Sequence, residues 1–319
     1  MKNIWQELKK PYFILAPMDD VTDTSFRRHV AKYAPPELYY TEFTNVEGLN
    51  SVGRDHVLRR LRFTESERPL IAQIWGLDPD LYEKAARDIV EMGFDGIDIN
   101  MGCPESGVVK KGCCSALINN PNLAAKIIQA TKKGADGKIP VSVKCRIGFN
   151  SIKTEEWCGF LLDQGIDALI VHGRTTKEMS KVPAHWDEIG KVVKIRDEKK
   201  LKTVIIGNGD VLSREQGEVL AKKYGLDGIM VGRGIFHNFW IFNKEQTEHS
   251  PEERMNILLD HTKIFIEDWG DTKNFAILKK FYKIYASNFE GALDLRVKLM
   301  ESKTADDVYP VVKEFLQNR

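Results

Sequence analysis

Short runs of apolar and β-branched residues recur through the first three quarters of the chain, at 13–18, 37–43, 70–76, 96–102, 140–148, 168–174, 203–210 and 228–234. Leu169-Ile170-Val171 and Val204-Ile205-Ile206 are apolar at consecutive positions, the pattern of strands buried on both faces of a parallel sheet. The eight runs start 24 to 44 residues apart. A strand and its crossover helix need about 30 residues, so each gap accommodates one βα unit. The intervening segments carry helix signals. Asp78-Pro79 opens one helix, Leu81, Ala85, Ile89 and Met92 space its apolar face, and Gly93 closes it. Further helices are predicted from Pro121 to Gly134, from Thr154 to Gly165 and from Ser213 to Gly225. Three of the helix ends are near-copies, Gly93-Phe94-Asp95-Gly96, Gly165-Ile166-Asp167-Ala168 and Gly225-Leu226-Asp227-Gly228, each leading into a strand.

Eight such units predict a (β/α)8 TIM barrel over residues 1–243, an α/β fold; an open doubly wound sheet shares the same alternation. After Trp240 the strand pattern ends. Ser250-Pro251-Glu252-Glu253 reads as a capping box, and helical patterns follow near 251–268, 273–289, 291–301 and 304–317. Residues 250–319 are therefore predicted to form a small all-α helical bundle.

In a barrel, chemistry sits at the C-terminal ends of the strands. Here those ends carry Met18-Asp19-Asp20, Glu42, Gln73, Asn100 with Cys103, Lys144 with Arg146, His172 with Arg174, Asn208 with Asp210, and Arg233. The turns Gly207-Asn208-Gly209-Asp210 and Gly232-Arg233-Gly234 follow strands seven and eight. Glycine there lets backbone N–H groups approach a phosphate. There is no G-x-G-x-x-G and no Walker sequence, which disfavours a Rossmann domain and a P-loop NTPase. Five cysteines without a C-x-x-C pair argue against a disulfide framework, and Cys113-Cys114 lack a His pair at metal-ligand spacing. Cys145 and Cys158 read as buried small hydrophobes. No apolar run approaches the ~20 residues of a membrane span, and the chain reads as cytoplasmic.

Charge changes the picture only locally. Lys+Arg 47 against Asp+Glu 46 excludes a uniformly basic, RNA-coating protein. The tail from 251 onward has 11 basic and 12 acidic residues, yet Lys273, Lys279, Lys280 and Lys283 occur with no acid between them, interleaved with Phe275, Phe281, Tyr282 and Tyr285. The spacing predicts that part of this set shares one helix face. Arg54, Arg59, Arg60 and Arg62 form a second basic group and Lys110-Lys111 a third.

Six motifs in chain order resemble the tRNA-dihydrouridine synthases. They are Ala16-Pro17-Met18 with Val21-Thr22-Asp23 and Phe26-Arg27, Gln73-Ile74-Trp75-Gly76, Asp98 to Pro104, Val143 to Gly148, His172-Gly173-Arg174-Thr175, and Asn208-Gly209-Asp210 with Gly232-Arg233-Gly234. The resemblance implies an FMN enzyme that reduces the 5,6 double bond of specific tRNA uridines with NADPH, acting without a membrane or a stable protein partner, as a monomer. It implies that Pro17, Met18, Gln73 and Lys144 hold the flavin ring. His172, Asn208, Gly209, Asp210, Gly232 and Arg233 would hold the ribityl chain and phosphate, and Asn100 and Arg146 would contact the uracil. Hydride would pass from flavin N5 to uracil C6 and a proton from Cys103 to C5, with no metal. The tail corresponds to the family's tRNA-binding helices. The chain departs from the family pattern at Glu105-Ser106-Gly107, at Cys113-Cys114 and after Thr175, which leaves the target uridine open. A flavin barrel acting on a free small molecule, or a non-enzymatic RNA-binding protein, are the competing readings.

Overall fold

The computed structural model describes residues 3–318. Nine strands form one sheet: β1 Tyr12–Leu15, β2 Tyr39–Tyr40, β3 Thr44–Asn45, β4 Leu70–Trp75, β5 Gly96–Met101, β6 Val141–Arg146, β7 Ala168–His172, β8 Val204–Asn208 and β9 Gly228–Val231. All pairings are parallel, β4 to β9 pair in chain order, and β9 pairs with β1. β1 meets the second strand position through the Glu37 N–H to the Phe13 carbonyl (3.0 Å) and the Leu15 N–H to the Leu38 carbonyl (3.1 Å). A doubly wound sheet reverses its strand order midway and leaves two edges. This sheet does neither, so the eight predicted strand positions form the barrel.

The second position differs from expectation, being two short strands rather than one run over 37–43. The Gln73 N–H donates to the Thr41 hydroxyl (3.1 Å) where a regular ladder would offer a carbonyl, and the Thr41 hydroxyl donates to the Glu42 carbonyl. Pairing with β4 resumes at Thr44. The three near-repeats do a common job. Each glycine has a positive φ, and the aspartate two residues later accepts the N–H of a strand start, Asp95 from Leu70, Asp167 from Val141 and Asp227 from Ile205, all at 2.8 Å.

Strand alternation sorts the barrel interior. Tyr12, Ile14, Ala16, Tyr40, Ile71, Ala168, Ile170, Val204, Ile206 and Met230 form one buried cluster, with Trp5 beneath it. Continuing the same alternation toward the C-terminal ends gives Gln73, Asp98 and Asn100, Ser142 and Lys144, His172, and Asn208. The lower interior is apolar and the upper interior polar, as a barrel site requires.

The helix Pro251–Trp269 packs against Thr24–Tyr33, and Ala292–Glu301 and Ala305–Gln317 complete the tail. The single helix predicted over 273–289 is not formed. Phe275–Phe281 is 3-10 and is followed by one turn, Tyr282–Tyr285. Phe275, Leu278 and Phe281 recur every three residues, the period of a 3-10 turn, which brings all three onto one side. The lysines therefore do not form one helix face. Lys273 pairs with buried Asp23 (2.7 Å), Lys279 donates to the Met300 carbonyl and Lys280 to the Asp20 carbonyl, while Lys283 is exposed. Three of the four arginines are likewise spent on structure, with Arg54 on Asp88, Arg60 on Asp19 and Glu42, and Arg62 on the Asp268 carbonyl and the Trp269 ring, while Arg59 is exposed. No helix among the described residues is long and apolar enough to cross a membrane.

Candidate active site

A cavity of about 500 Å³ opens at the C-terminal ends of β1, β6, β7, β8 and β9. Its lining includes nine of the residues singled out from sequence: Pro17, Met18, Lys144, His172, Asn208, Gly209, Asp210, Gly232 and Arg233. The volume suits a small-molecule or cofactor site. Gln73, Asn100 and Arg146, on β4 to β6, and Cys103, on the loop after β5, do not line it and stand beside it.

The cavity wall is cationic and ordered by hydrogen bonds. The Lys144 ammonium donates to Oδ1 of Asn208 (3.2 Å), whose Nδ2 donates to the Met230 carbonyl (2.9 Å). Burial, then the charge of Arg146, pulls the Lys144 pKa down to about 8. His172 is held well below its ordinary value by burial and by Lys144, Arg146, Arg174 and Arg233, so it is neutral. Arg174 Nη1 lies 3.2 Å from Nε2 of His172. A guanidinium can only donate, so Nε2 accepts and the imidazole proton sits on Nδ1. Arg174 also pairs with Asp210, which accepts the Ala184 N–H (2.9 Å). Burial raises the Asp210 pKa, but these bonds outweigh it and leave the carboxyl below its usual range. Arg174, which sequence reading placed only at a strand end, thus organises the cationic wall.

Glycine is required at two points. At Gly209 φ is +143° and a Cβ would stand 2.5 Å from that of Ala184. At Gly234 a Cβ would meet the Val211 carbonyl oxygen at 2.1 Å. The nearest atoms to a Cβ at Gly232 are Ala16 Cβ and Met18 Sδ, at 3.7 and 3.8 Å, so that position stays open to the cavity.

Beside the cavity, Asn100 organises the loop after β5. Its Oδ1 accepts the N–H groups of Gly102 (3.1 Å) and Cys103 (3.0 Å), and its Nδ2 donates to Oε1 of Gln73 (3.1 Å). Gln73 Nε2 donates to Asp98 (2.7 Å). Burial raises the Asp98 carboxyl to about 7 against the opposing bonds from Ser142 and Gln73. Arg146 is 5% exposed, and its Nε and Nη1 are committed to the carbonyls of Gly102, Thr175 and Met179. Cys103 is part-buried, and burial raises its thiol pKa against the Glu105 N–H and the charge of Arg146. A thiol in that state holds its proton at neutral pH and can deliver it as a general acid. Asp98 and Ser142 were not singled out from sequence for a role. Their alternation with Asn100 and Lys144 is the signal that places them in the barrel interior.

A family model described as dihydrouridine synthase matches residues 14–319. A probable tRNA-dihydrouridine synthase of Staphylococcus aureus (strain COL) is 44% identical over 317 residues, covering 98% of this chain and 96% of the relative. A probable tRNA-dihydrouridine synthase 2 of Bacillus subtilis (strain 168) is also 44% identical over 317 residues, covering 98% and 97%. Among solved structures, histamine dehydrogenase from Rhizobium sp. 4-9 aligns with a TM-score of 0.56 at 11% identity. That alignment covers 79% of this chain and 48% of the other, a likeness of fold in which this chain matches about half of the longer protein.

Proposed function

The chain belongs to the dihydrouridine synthase family, a family of oxidoreductases, and on that premise we propose that it reduces specific uridines of tRNA to 5,6-dihydrouridine with FMN and NADPH. The observation that carries this reading is the juxtaposition of the cationic, glycine-lipped cavity with a protonated thiol on the neighbouring loop.

The cavity fits FMN on its own chemistry. Lys144, Arg174 and Arg233 face a single carboxylate, Asp210, so an anionic group is favoured there. Gly232 lines the cavity with no atom nearer than 3.7 Å to the place of a Cβ, so its backbone is open to a ligand. In this reading the backbone at Pro17 and Met18, with Lys144, holds the flavin ring. His172, Asn208, Gly209, Asp210, Gly232 and Arg233 hold the ribityl chain and phosphate. One hydrogen of Gln73 Nε2 is taken by Asp98 and its Oε1 by Asn100, so only the second Nε2 hydrogen remains for the ring. When bound, FMN supplies the electrons that reduce the uracil double bond, and NADPH restores them. The chain's own groups supply orientation and the proton. Asn100 and Arg146 hold the uracil, with Arg146 using Nη2 because its other donors are engaged. Cys103 gives its proton to C5. The uridine has to leave the tRNA stack to reach this depth, at a cost of a few kcal/mol. The helices of 250–319 form the tRNA-binding domain in this reading, with exposed Lys283 and the Lys110-Lys111 pair beside the Cys103 loop as RNA contacts. Local contacts of this kind give a moderate salt dependence rather than a steep one.

Reconstitution tests the cofactor assignment. The purified protein is expected to take up one equivalent of FMN, and a colourless product after reconstitution contradicts it. Lys144 adds a sign. It is charged below about pH 8 and neutral above it. An anionic ligand therefore binds more tightly at pH 7 than at pH 9.5, by about tenfold for one nearby charge. Fluorescence titration of FMN should show this slope, and Lys144→Met should flatten it. A flat profile in the parent protein removes Lys144 from the site.

A further inference from the structure

Asp98 is completely buried at the boundary between the apolar and polar halves of the barrel interior. In the sheet register it lies opposite Gln73 on one side and Ser142 on the other. Its two oxygens accept from neutral donors only, Oδ2 from Gln73 Nε2 (2.7 Å) and Oδ1 from the Ser142 hydroxyl (2.6 Å). Burying a carboxyl without a cationic hydrogen-bond partner is unfavourable, and an aliphatic side chain would fill this layer at less cost. What the carboxyl provides is direction.

A carboxamide can hydrogen-bond in either of two orientations, and its neighbours decide which. The Asp98 oxygen that faces Gln73 accepts, so Gln73 turns Nε2 toward Asp98 and Oε1 toward Asn100. Asn100 then has to turn Nδ2 toward Gln73, which leaves its Oδ1 for the N–H groups of Gly102 and Cys103. Each link dictates the next, and the chain runs from the interior of the barrel to the backbone of the cysteine. Every member apart from Gly102 and Cys103 is buried, so an unsatisfied donor anywhere along it is costly.

We propose that Asp98 is a positioning residue, which fixes the amide directions of Gln73 and Asn100 and through them the placement of the loop that carries Cys103. The inference rests on the reading of Asn100 and Cys103 as substrate-facing groups.

The test uses the full-length, FMN-loaded protein and an unmodified tRNA transcript, with the parent protein in the same assay. Asp98→Ala removes the acceptor and leaves Gln73 Nε2 unpaired. It is expected to lower kcat for dihydrouridine formation by tenfold or more, since small misplacements at a reacting centre cost up to about 10²-fold. KM for tRNA and FMN content should stay within about threefold, because the change touches orientation and not the remote contacts. Asp98→Asn keeps an oxygen toward Gln73 and offers its own N–H to Ser142, so it is expected to stay within about threefold of the parent rate. Gln73→Leu interrupts the same chain, and adding Asp98→Ala to it should cost nothing further.

An Asp98→Ala enzyme with the parent kcat overturns the proposal, as do additive losses in the double variant. An Asp98→Asn enzyme as slow as Asp98→Ala also overturns it, by making charge rather than direction the requirement. If Asp98→Ala does not fold, Asp98→Leu, which is close in shape and also removes the acceptor, takes its place with the same expected loss, and a parent-like kcat there overturns the proposal. A parent protein that makes no dihydrouridine is a different failure, that of the proposed function.

Discussion

Replacement of Cys103 by alanine is expected to leave flavin reduction by NADPH within about twofold of the parent and to slow uridine reduction by roughly 10²–10⁴-fold, the range for loss of a positioned general acid. The asymmetry follows from where the residue sits. Cys103 does not line the 500 Å³ cavity assigned to FMN, so its side chain is not needed to hold the flavin. Its backbone N–H donates to Asn100 (3.0 Å), and its carbonyl accepts the Ser115 N–H (3.3 Å). Both bonds are made by the main chain and survive the substitution, so the loop keeps its shape while the proposed proton source is lost. Burial keeps the thiol protonated at neutral pH, the form that can donate. Anaerobic stopped-flow measurement of the two half-reactions separates the steps. Equal loss in both would mean that the substitution disturbs the flavin site. An unchanged uridine step would remove Cys103 from the chemistry.

The second large effect is on stability. Arg27→Met is expected to destabilise the protein by about 3–5 kcal/mol, the range for breaking a fully buried ion pair. Arg27 and Glu67 both have fully buried side chains and meet at 2.7 Å. The remaining guanidinium donors serve the Thr22 carbonyl (2.5 Å) and the Arg62 carbonyl (2.7 Å), and Glu67 also accepts from the Thr24 hydroxyl (2.7 Å). Methionine matches the length of the stem but leaves the Glu67 charge and two carbonyls unpaired. The pair ties the helix Thr24–Tyr33 to the segment whose Arg62 reaches the tail at Asp268 and Trp269. For a chain of this size the loss corresponds to a fall in Tm of roughly 4–8 °C. Thermal unfolding checks it, and a shift below about 2 °C would mean that the pair is not supporting the fold.

The barrel was legible because its signals are local and repeated. Apolar strands at βα spacing, Pro and Asx starts and glycine ends each report a few neighbouring residues, and eight strands suit a closed barrel. The cavity residues were legible for a related reason: they stand where strand ends meet glycine turns, and the barrel geometry gathers those ends. The features that escaped depend on partners distant in sequence. Phe26-Arg27 reads as one motif, but its partner Glu67 lies 40 residues away and carries no pattern of its own. Asp98 precedes Asn100 by one full strand repeat, yet only the sheet register sets it against Gln73 and Ser142. The tail lysines misled because spacing alone cannot tell a 3-10 stretch with a three-residue apolar period from a helix. It also cannot reveal that Asp23 and the Asp20 carbonyl claim two of them. For the same reason the tail is not a detachable module. Phe281 stacks on Phe26 (4.7 Å) and His261 on His29 (4.6 Å), so removal from about residue 245 would strip the apolar cover from a barrel helix.

The most direct test incubates the FMN-loaded protein with NADPH and an unmodified tRNA transcript, and maps the product by mass spectrometry of nuclease fragments. A gain of two hydrogens is expected at one or a few defined uridines, dependent on protein and NADPH, with free uridine reduced far more slowly. Fragments without that gain, or free uridine reduced as fast as the tRNA, would contradict it.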